Sequence, residues 1–114
     1  MGNPVVHFEV IGKDGARLRS FYSDLFGWKV QHMPEMDYAL ADTDAGGQGI
    51  AGGIGTGEQP MVTFYVQVAD PQACLERAVA LGGSVVQPVT EIPGVVTTAL
   101  FADPEGHVVG IVKE

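Results

Sequence analysis

The sequence has little cysteine, little positive charge and no long apolar run, and each shortage excludes a class of protein. Its single cysteine, Cys74, rules out an internal disulfide and fits a reducing compartment. The six Lys and Arg residues are scattered, so a net charge of −8 argues against nucleic acid as a partner. The longest apolar stretches, such as 108–112, are only strand-sized, which predicts no membrane span. The first residues lack the basic and apolar segments of an export signal, so we expect a cytoplasmic protein.

What is present is typical of a folded domain. Apolar residues make up 46% of the 114 residues and charged residues 18%, which favours a globular fold over disorder. This length suffices for one domain with its own hydrophobic core and is too short for two domains that each bury a sizeable core. We therefore expect a single domain over 1–114.

The order strand, helix, three strands is predicted twice along the chain. The first copy has a strand over 5–11, a helix capped by Asp14 and ended by Gly27, and strands over 28–31, 38–41 and within 48–54. The second copy has a strand over 62–68, a helix between Asp70-Pro71 and Gly82-Gly83, and strands separated by turns at Pro93-Gly94 and 103–106. The copies align without a gap at an offset of 56 residues, which pairs His7 with Thr63.

This repeat predicts an α+β fold of two βαβββ modules, about 4–56 and 61–114, whose curved mixed sheets surround a cup. Neither module can bury its own sheet face, so the two must associate. The repeat also leaves an unpaired sheet edge and a half-covered face, which predicts a homodimer.

Helical spacing predicts which residues each helix turns inward. The expected inward residues are Leu18, Phe21, Tyr22 and Leu25 in the first helix, and Cys74, Leu75, Ala78 and Leu81 in the second. Cys74 is then either a small core hydrophobe or a reactive thiol.

Alternation along two strands predicts which residues face the cup. Apolar residues suit the helix side at Val6, Phe8 and Val10 in the first strand and at Val62, Phe64, Val66 and Val68 in the fifth. The opposite face then carries the polar residues His7, Glu9, Thr63, Tyr65 and Gln67. Pockets need a few placed polar groups of this kind, so these five are the candidate ligand-binding residues.

Four segments carry a resemblance to a known family: 5–10, 21–28, 62–70 and 100–106, the last closing on Asp-Pro-Glu-Gly. In this order they resemble the vicinal oxygen chelate superfamily, which contains glyoxalase I, extradiol dioxygenases, fosfomycin-modifying enzymes and bleomycin-binding resistance proteins. The resemblance covers nearly the whole chain. It implies a homodimer with two cavities, each walled by curved sheets.

Metal-dependent members of that superfamily hold their ion at four strand positions, two in each module. Carried over by resemblance, these positions fall on His7, Thr63, Gly110 and, to within one residue, Ile54. Only His7 is a competent ligand, whereas metal catalysis needs about three converging N or O donors. We therefore expect no metal and no cofactor, with a distorted site of His7 and Glu9 as the alternative.

The remaining candidate residues also have ordinary structural explanations. His32, expected in a loop with Met33 and Pro34, and His107 are predicted surface residues, and Met33 and Met36 form either a flexible rim or loop filling. Tyr22, Phe26 and Trp28 suit a core or dimer contact better than a stacking platform. The glycine-rich run 46–55 lacks the Lys-Ser/Thr of a phosphate loop and suggests a flexible loop entering a strand that a ligand or partner backbone approaches.

Three functions remain open. The leading hypothesis is a metal-independent member of the superfamily that binds a small organic molecule in its dimer cavity. The alternative is an enzyme of this fold, a glyoxalase-like lyase, isomerase or dioxygenase, that uses His7 with Glu9 or Tyr65 as acid and base or an atypical metal site. His7 could equally have a structural role. The third hypothesis is a dimeric module that binds a protein partner.

Overall fold

The structure is a computed structural model that describes residues 2–43 and 46–114. Its first half contains β1 (Val5–Gly12), α1 (Gly15–Phe26), β2 (Lys29–Met33), a 3-10 turn (Pro34–Met36), β3 (Tyr38–Asp42) and β4 (Gly52–Thr56). Its second half contains β5 (Met61–Val68), α2 (Pro71–Ala80), β6 (Ser84–Ile92), β7 (Val96–Ala102) and β8 (Val108–Lys113). The predicted order of strand, helix and three strands is thus present twice.

The chain divides into two compact units. The N-terminal unit comprises Val6–Thr63, and the C-terminal unit comprises Phe64–Glu114 with the residues up to Val5. The boundary falls inside β5, three residues after that strand begins.

In the N-terminal unit the strand order is β2-β3-β4-β1. β1 runs parallel to β4, whereas β3 is antiparallel to both β2 and β4. A parallel pair needs a long connection, which α1 and the β2–β3 hairpin supply here. Its buried apolar side chains are small or branched, namely Val10, Ala39, Ala41 and Ile54.

The C-terminal unit repeats this arrangement with the order β6-β7-β8-β5, in which β5 and β8 are the parallel pair. Its core is a cluster of Val68, Leu75, Ala99 and Ile111. Leu75 is the side chain with which α2 reaches that cluster, since it is 2% exposed. Burying one Leu contributes about 1.5–3 kcal/mol. Cys74 of the same helix is partly buried and packs against the cluster as well.

Local signals set the ends of both helices as predicted. The Asp14 carboxylate accepts a hydrogen bond from Arg17 N at 3.0 Å, and Asp70 accepts one from Ala73 N at 3.1 Å. Gly27 ends α1 in the left-handed conformation at φ 73°. Each capping side chain contributes about 1 kcal/mol because it satisfies a backbone donor that the helix leaves open.

Turns at the far end of the C-terminal unit are also confirmed. Gly94 has φ 73°, and Val95 N donates to Ile92 O at 2.9 Å, as a turn centred on Pro93-Gly94 requires. In the next turn the Asp103 carboxylate accepts from the backbone N–H groups of Glu105 and His107, both at 2.9 Å.

The predicted inward faces of the helices are partly wrong. Phe21 is 56% exposed, Leu25 58% and Leu81 64%. Gly15 is the one buried residue of α1, and a Cβ there would overlap Thr56, so this helix approaches β4 most closely at its first turn. Helical spacing therefore identified the apolar stripes without showing how much of each stripe is covered.

The predicted inward face of β5 also holds only for the end of that strand. Val68 is buried and Val66 packs against the core cluster, as expected. Val62 is 75% exposed and Phe64 43%, although alternation places both on the helix side. Alternation separates the two faces of a strand, but it does not say where the covering helix stops.

Two strand boundaries differ from the sequence prediction. His32 and Met33 belong to β2, which the sequence prediction ended at Gln31, and the loop is reduced to the 3-10 turn. That turn ends at Asp37 in the left-handed conformation, φ 46°. β4 covers Gly52–Thr56, so it begins inside the predicted interval 48–54 and ends two residues beyond it. Of the helices that the structure describes, neither has the length and apolar character needed to cross a bilayer.

Candidate functional site

Three polar side chains of the N-terminal unit form a hydrogen-bonded row. Tyr38 Oη lies 3.0 Å from His7 Nε2 and donates to Glu9 Oε2 at 2.8 Å. His7 and Glu9 alternate with inward residues on β1, so they share the face predicted from the sequence. Tyr38 comes from the start of β3 and joins the two. All three side chains are half-buried.

Glycines of β4 make room for this row. β4 lies between β1 and β3, pairing Glu9 with Gly53 on one side and Tyr38 with Gly55 on the other. A Cβ at Gly53 would overlap the Tyr38 hydroxyl, and one at Gly55 would lie 2.8 Å from the ring. The tyrosine ring therefore crosses β4 over two missing side chains to reach β1.

This arrangement corrects the expectation for the glycine-rich run. A ligand or a partner backbone was expected to approach the strand there. Rings of the chain itself lie over its glycines instead: Tyr38 covers Gly53 on one face, and Phe8 covers Gly52 on the other. Glycine in a strand often marks such a close approach.

The row also fixes the positions of its protons. Tyr38 donates its single hydrogen to Glu9, so its oxygen accepts the hydrogen bond from His7. A neutral His7 must then carry its proton on Nε2, which leaves Nδ1 as the basic nitrogen. Glu9 holds the negative charge at the other end of the row.

Burial lowers the pKa of His7 below its ordinary value of 6.5, and the nearby Glu9 carboxylate opposes that shift only in part. Taking an imidazolium out of water costs more than this one carboxylate returns. His7 is therefore a neutral imidazole at neutral pH. A neutral imidazole hydrogen-bonded to a tyrosine and, through it, to a carboxylate can accept a proton or bind a hydrogen-bond donor.

Tyr65, at the position of β5 equivalent to Glu9, has a comparable setting in the C-terminal unit. It pairs with Gly110 of β8, where a Cβ would overlap the tyrosine ring. In both units, then, a glycine of the last strand leaves space for a tyrosine ring. Because Glu9 pairs with Gly53 and Tyr65 with Gly110, Gly53 is the true counterpart of Gly110.

Gly53 lies within the one-residue margin given for Ile54, and the strand register selects it over Ile54. Ile54 is completely buried and pairs with Val10, on the face opposite to Glu9. A one-residue difference in register moves a side chain to the other face of a strand.

The other two predicted ligand-binding residues, Thr63 and Gln67, both belong to β5. Thr63 is only 6% exposed. Gln67 is half-buried, and its backbone N–H donates to Pro4 O at 2.9 Å. Thr63, Tyr65 and Gln67 remain predicted ligand-binding residues.

The inherited metal positions do not fit a metal ion. Gly110 and Gly53 carry no donor, the space above each is filled by a tyrosine ring, and Thr63 offers a neutral hydroxyl. Within 2–43 and 46–114, no three His, Cys, Asp or Glu side chains converge as metal ligands. A single imidazole is too few donors for catalytic zinc or a similar ion.

The other histidines lie at the surface, as predicted. His32 Nε2 is 4.0 Å from an Asp37 carboxylate oxygen, and His107 Nδ1 is 3.1 Å from Asp103 Oδ2. The backbone hydrogen bond from His107 is the main cause that lowers the pKa of Asp103, so that carboxylate stays ionised in its turn. His107 therefore holds its own turn, whereas the separation between His32 and Asp37 is longer than a hydrogen bond.

Sequence reasoning missed Tyr38, the residue that joins the row. The available signal was the alternation of β3, where Ala39 and Ala41 are fully buried and Tyr38 must face the other way. A large ring opposite a strand with glycine at every second position indicates that the ring lies across that strand. The missing information was the strand pairing, which places β4 between β3 and β1.

Comparisons with known proteins agree with this fold. The family model of the glyoxalase-like domain matches residues 8–112. A Mycobacterium tuberculosis protein named "Putative glyoxylase CFP32" is 28% identical over 108 residues, which cover 86% of this chain and 41% of the relative. The chain thus spans less than half the length of that relative.

Two solved structures share the architecture. A glyoxalase/bleomycin resistance protein/dioxygenase superfamily member from Vibrio splendidus 12B01 matches with a TM-score of 0.67 at 19% identity, over 99% of this chain and all of its own. Methylmalonyl-CoA epimerase from Mycobacterium tuberculosis matches with a TM-score of 0.66 at 14% identity, over 96% of this chain and 86% of its own. At these identities the likeness establishes the fold alone. With the family model covering nearly the whole sequence, the chain belongs to the glyoxalase-like domain family, within the vicinal oxygen chelate superfamily that its sequence resembles.

Proposed function

We propose that the chain is a metal-independent member of its family that binds a small organic molecule in a cavity completed by dimerisation. The row of His7, Tyr38 and Glu9 carries the proposal. It combines a neutral imidazole, a hydroxyl and a carboxylate within hydrogen-bond distance of one another. Such a set can orient a polar ligand, whereas the donors needed for a metal are missing from the inherited positions.

Apolar surface supports the dimer. Phe21, Leu25 and Phe26 are each more than half exposed on consecutive turns of α1. Large apolar side chains grouped in this way usually mark a contact surface. A second copy of the chain is the partner we propose for this face, in keeping with the unpaired edges that the repeat leaves.

Ligand capture from the host is the direct test. The protein is purified from its own cells and examined by native mass spectrometry for a bound molecule, beside the Tyr38→Phe and Tyr22→Phe variants. Tyr38→Phe should lose the ligand, because it breaks the row. Tyr22→Phe is the matched control, because Tyr22 stacks on Trp28 and takes part in no hydrogen bond among the described residues. Equal loading of parent and Tyr38→Phe would show that the row is not the binding site.

Acid–base catalysis is the second candidate, favoured by the hydrogen bond from Tyr38 to Glu9. In that case Tyr38 donates a proton to the substrate while His7 or Glu9 removes one, and Tyr65 remains the predicted alternative partner of His7. The captured ligand is incubated with the protein in D₂O, and its mass is measured again. Deuterium that enters the ligand with the parent and not with Glu9→Gln would indicate turnover, and an unchanged mass would indicate binding alone.

A further inference from the structure

A group of aromatic rings packs together around the C-terminal end of α1 in the N-terminal unit. Trp28 stacks on Tyr22 with ring centres 5.4 Å apart and 12° between planes, and it contacts Phe26 and Phe8 at 5.3 Å each. Phe21 packs edge-on against Tyr22 at 5.2 Å. Stacked and edge-to-face pairs of this kind each contribute about 0.5–1.5 kcal/mol beyond burial.

Four of these five rings have no counterpart at the equivalent positions of the second half. At the repeat offset, Phe21, Tyr22, Phe26 and Trp28 correspond to Arg77, Ala78, Gly82 and Ser84, and only Phe8 keeps a ring, as Phe64. The backbone plan is the same, since each helix is followed by glycine, Gly27 after α1 and Gly82-Gly83 after α2, and then by a strand. Space that side chains fill in one half should therefore be open in the other.

The structure contains that space. A cavity of about 290 Å³ lies between α2 and the end of β7, within the C-terminal unit, and we name it the α2 cavity. Its walls include Cys74, Arg77, Ala78, Phe101, Asp103 and Pro104. Two of these, Arg77 and Ala78, stand at the positions of Phe21 and Tyr22. An apolar cavity of about 150 Å³ can hold benzene, so this volume suits one substituted ring.

Charge decides which substituent fits. Two charged side chains line the α2 cavity, Arg77 and Asp103. The Asp103 carboxylate already accepts three hydrogen bonds from its own turn, two from Glu105 and His107 backbone and one from the His107 ring. Within the described part of the chain, no carboxylate forms an ion pair with Arg77. The wall of the cavity is thus almost wholly apolar, and the exposed Arg77 side chain lies at its edge.

We propose that the α2 cavity binds a small aromatic carboxylate, its ring against Phe101 and Ala78 and its carboxylate on Arg77. This site is separate from the row of His7, Tyr38 and Glu9 and goes beyond the function proposed above. The rings of the N-terminal unit show what chemistry the same backbone accommodates at this position. Arg77 adds the preference for an anion, because a guanidinium pairs with a carboxylate in a fixed planar geometry.

The test uses 3-phenylpropanoate and its neutral analogue 3-phenylpropanamide, titrated into ¹⁵N-labelled protein and followed by amide chemical shifts. Saturable shifts should map to 74–83 and 101–104. Arg77→Gln should weaken binding of the carboxylate about two- to fivefold, the range for an exposed ion pair, and leave the amide unchanged. Lys29→Gln, an exposed charge in the other half, is the matched control and should change neither.

A second variant occupies the cavity with a larger side chain. Ala78→Tyr restores the side chain of Tyr22 and should abolish binding of both probes, whereas Ala80→Tyr, on an exposed position of the same helix, should not. Tyr38→Phe should bind both probes as the parent does, which separates this site from the proposed function.

A chemical readout on the parent protein needs no variant. Cys74 lines the α2 cavity and is the only cysteine, so alkylation by iodoacetamide reports on one place. At ten times the dissociation constant, 3-phenylpropanoate should slow that alkylation about tenfold by mass action. Absence of saturable shifts up to about 10 mM, a Kd range too weak for any built site, would overturn the proposal. So would shifts confined to the N-terminal unit, or unchanged binding in Ala78→Tyr.

Discussion

Replacing Glu9 by Gln separates a residue kept for binding from one kept for folding. The substitution preserves shape, and Tyr38 can still donate to the amide oxygen at the present 2.8 Å. What is lost is the charge, and with it about 1 kcal/mol, the difference between a charge-assisted and a neutral hydrogen bond. The substitution also removes the desolvation cost of a half-buried carboxylate, which is of similar size and opposite sign.

We therefore expect Glu9→Gln to change the free energy of unfolding by less than about 1 kcal/mol at pH 7, or to raise it. For a chain of this length that corresponds to a melting temperature within about 4 °C of the parent. Tyr38→Phe should cost about 1–2 kcal/mol, because it leaves both His7 and Glu9 without their shared partner. Both variants should weaken the native ligand by about 1–3 kcal/mol.

The same variant should alter the titration of His7. The Glu9 carboxylate partly offsets the lowering of the His7 pKa by burial, so its neutralisation should lower that pKa further. Histidine resonances followed by NMR over a pH series measure this directly, with His32 and His107 as internal controls. Thermal melts and sedimentation complete the assay. If Glu9→Gln melts well below Tyr38→Phe and the dimer dissociates, Glu9 is an interface residue and the site assignment fails.

Four further outcomes are expected. Sedimentation at micromolar concentration should show a dimer that Leu25→Lys weakens, and a species of 12.0 kDa for the parent would contradict it. Elemental analysis should find no stoichiometric metal, and near one ion per chain that His7→Ala removes would refute this. Because the His7 pKa is lowered on folding, the unfolded chain binds its proton first, so urea titrations should show stability falling as pH drops below about 6.5, less steeply in His7→Gln. Gly53→Ala should cost about 1–3 kcal/mol by displacing Tyr38 and should abolish ligand binding, and a fully stable, ligand-binding variant would disprove the packing described.

The order of elements could be predicted from the sequence because local chemistry determines it. Asp14 and Asp70 cap helices through their own following turn, and Pro93-Gly94 closes a turn within four residues. These contacts are complete inside short segments, so the residues that form them are visible in the chain order. The family resemblance depended on the same features and was confirmed over 8–112.

Burial was harder to predict because it depends on which surfaces meet. Spacing placed Phe21, Leu25 and Leu81 on apolar stripes, yet all three are more than half exposed. A stripe wider than the sheet beneath it leaves its margin open, and helical period alone cannot give that width. The exposed margin of α1 is itself informative, since it is the surface that the proposed dimer would bury.

Only part of the candidate site could be predicted from the sequence. The residue that was missed depends on contacts between strands that are distant in the chain. His7 and Glu9 followed from alternation within one strand. Tyr38 lies 29 residues from Glu9 along the chain, and its contact requires the order β3-β4-β1 together with glycine at the crossing point. The same pairing moved the counterpart of Gly110 from Ile54 to Gly53.

Comparison of the two halves shows how one backbone plan acquires two kinds of chemistry. At equivalent positions of β1 and β5, Glu9 carries a charge and Tyr65 a ring, and each lies opposite a glycine of the parallel strand beside it. At the helix ends it is the N-terminal unit that carries the rings. The C-terminal unit has small residues there, and they leave the α2 cavity open. The side chains differ between the halves while the strand pairing is the same, because a glycine opposite each position leaves room for either side chain. Functional differences within this fold should therefore be sought first where one half has a ring and its counterpart has none.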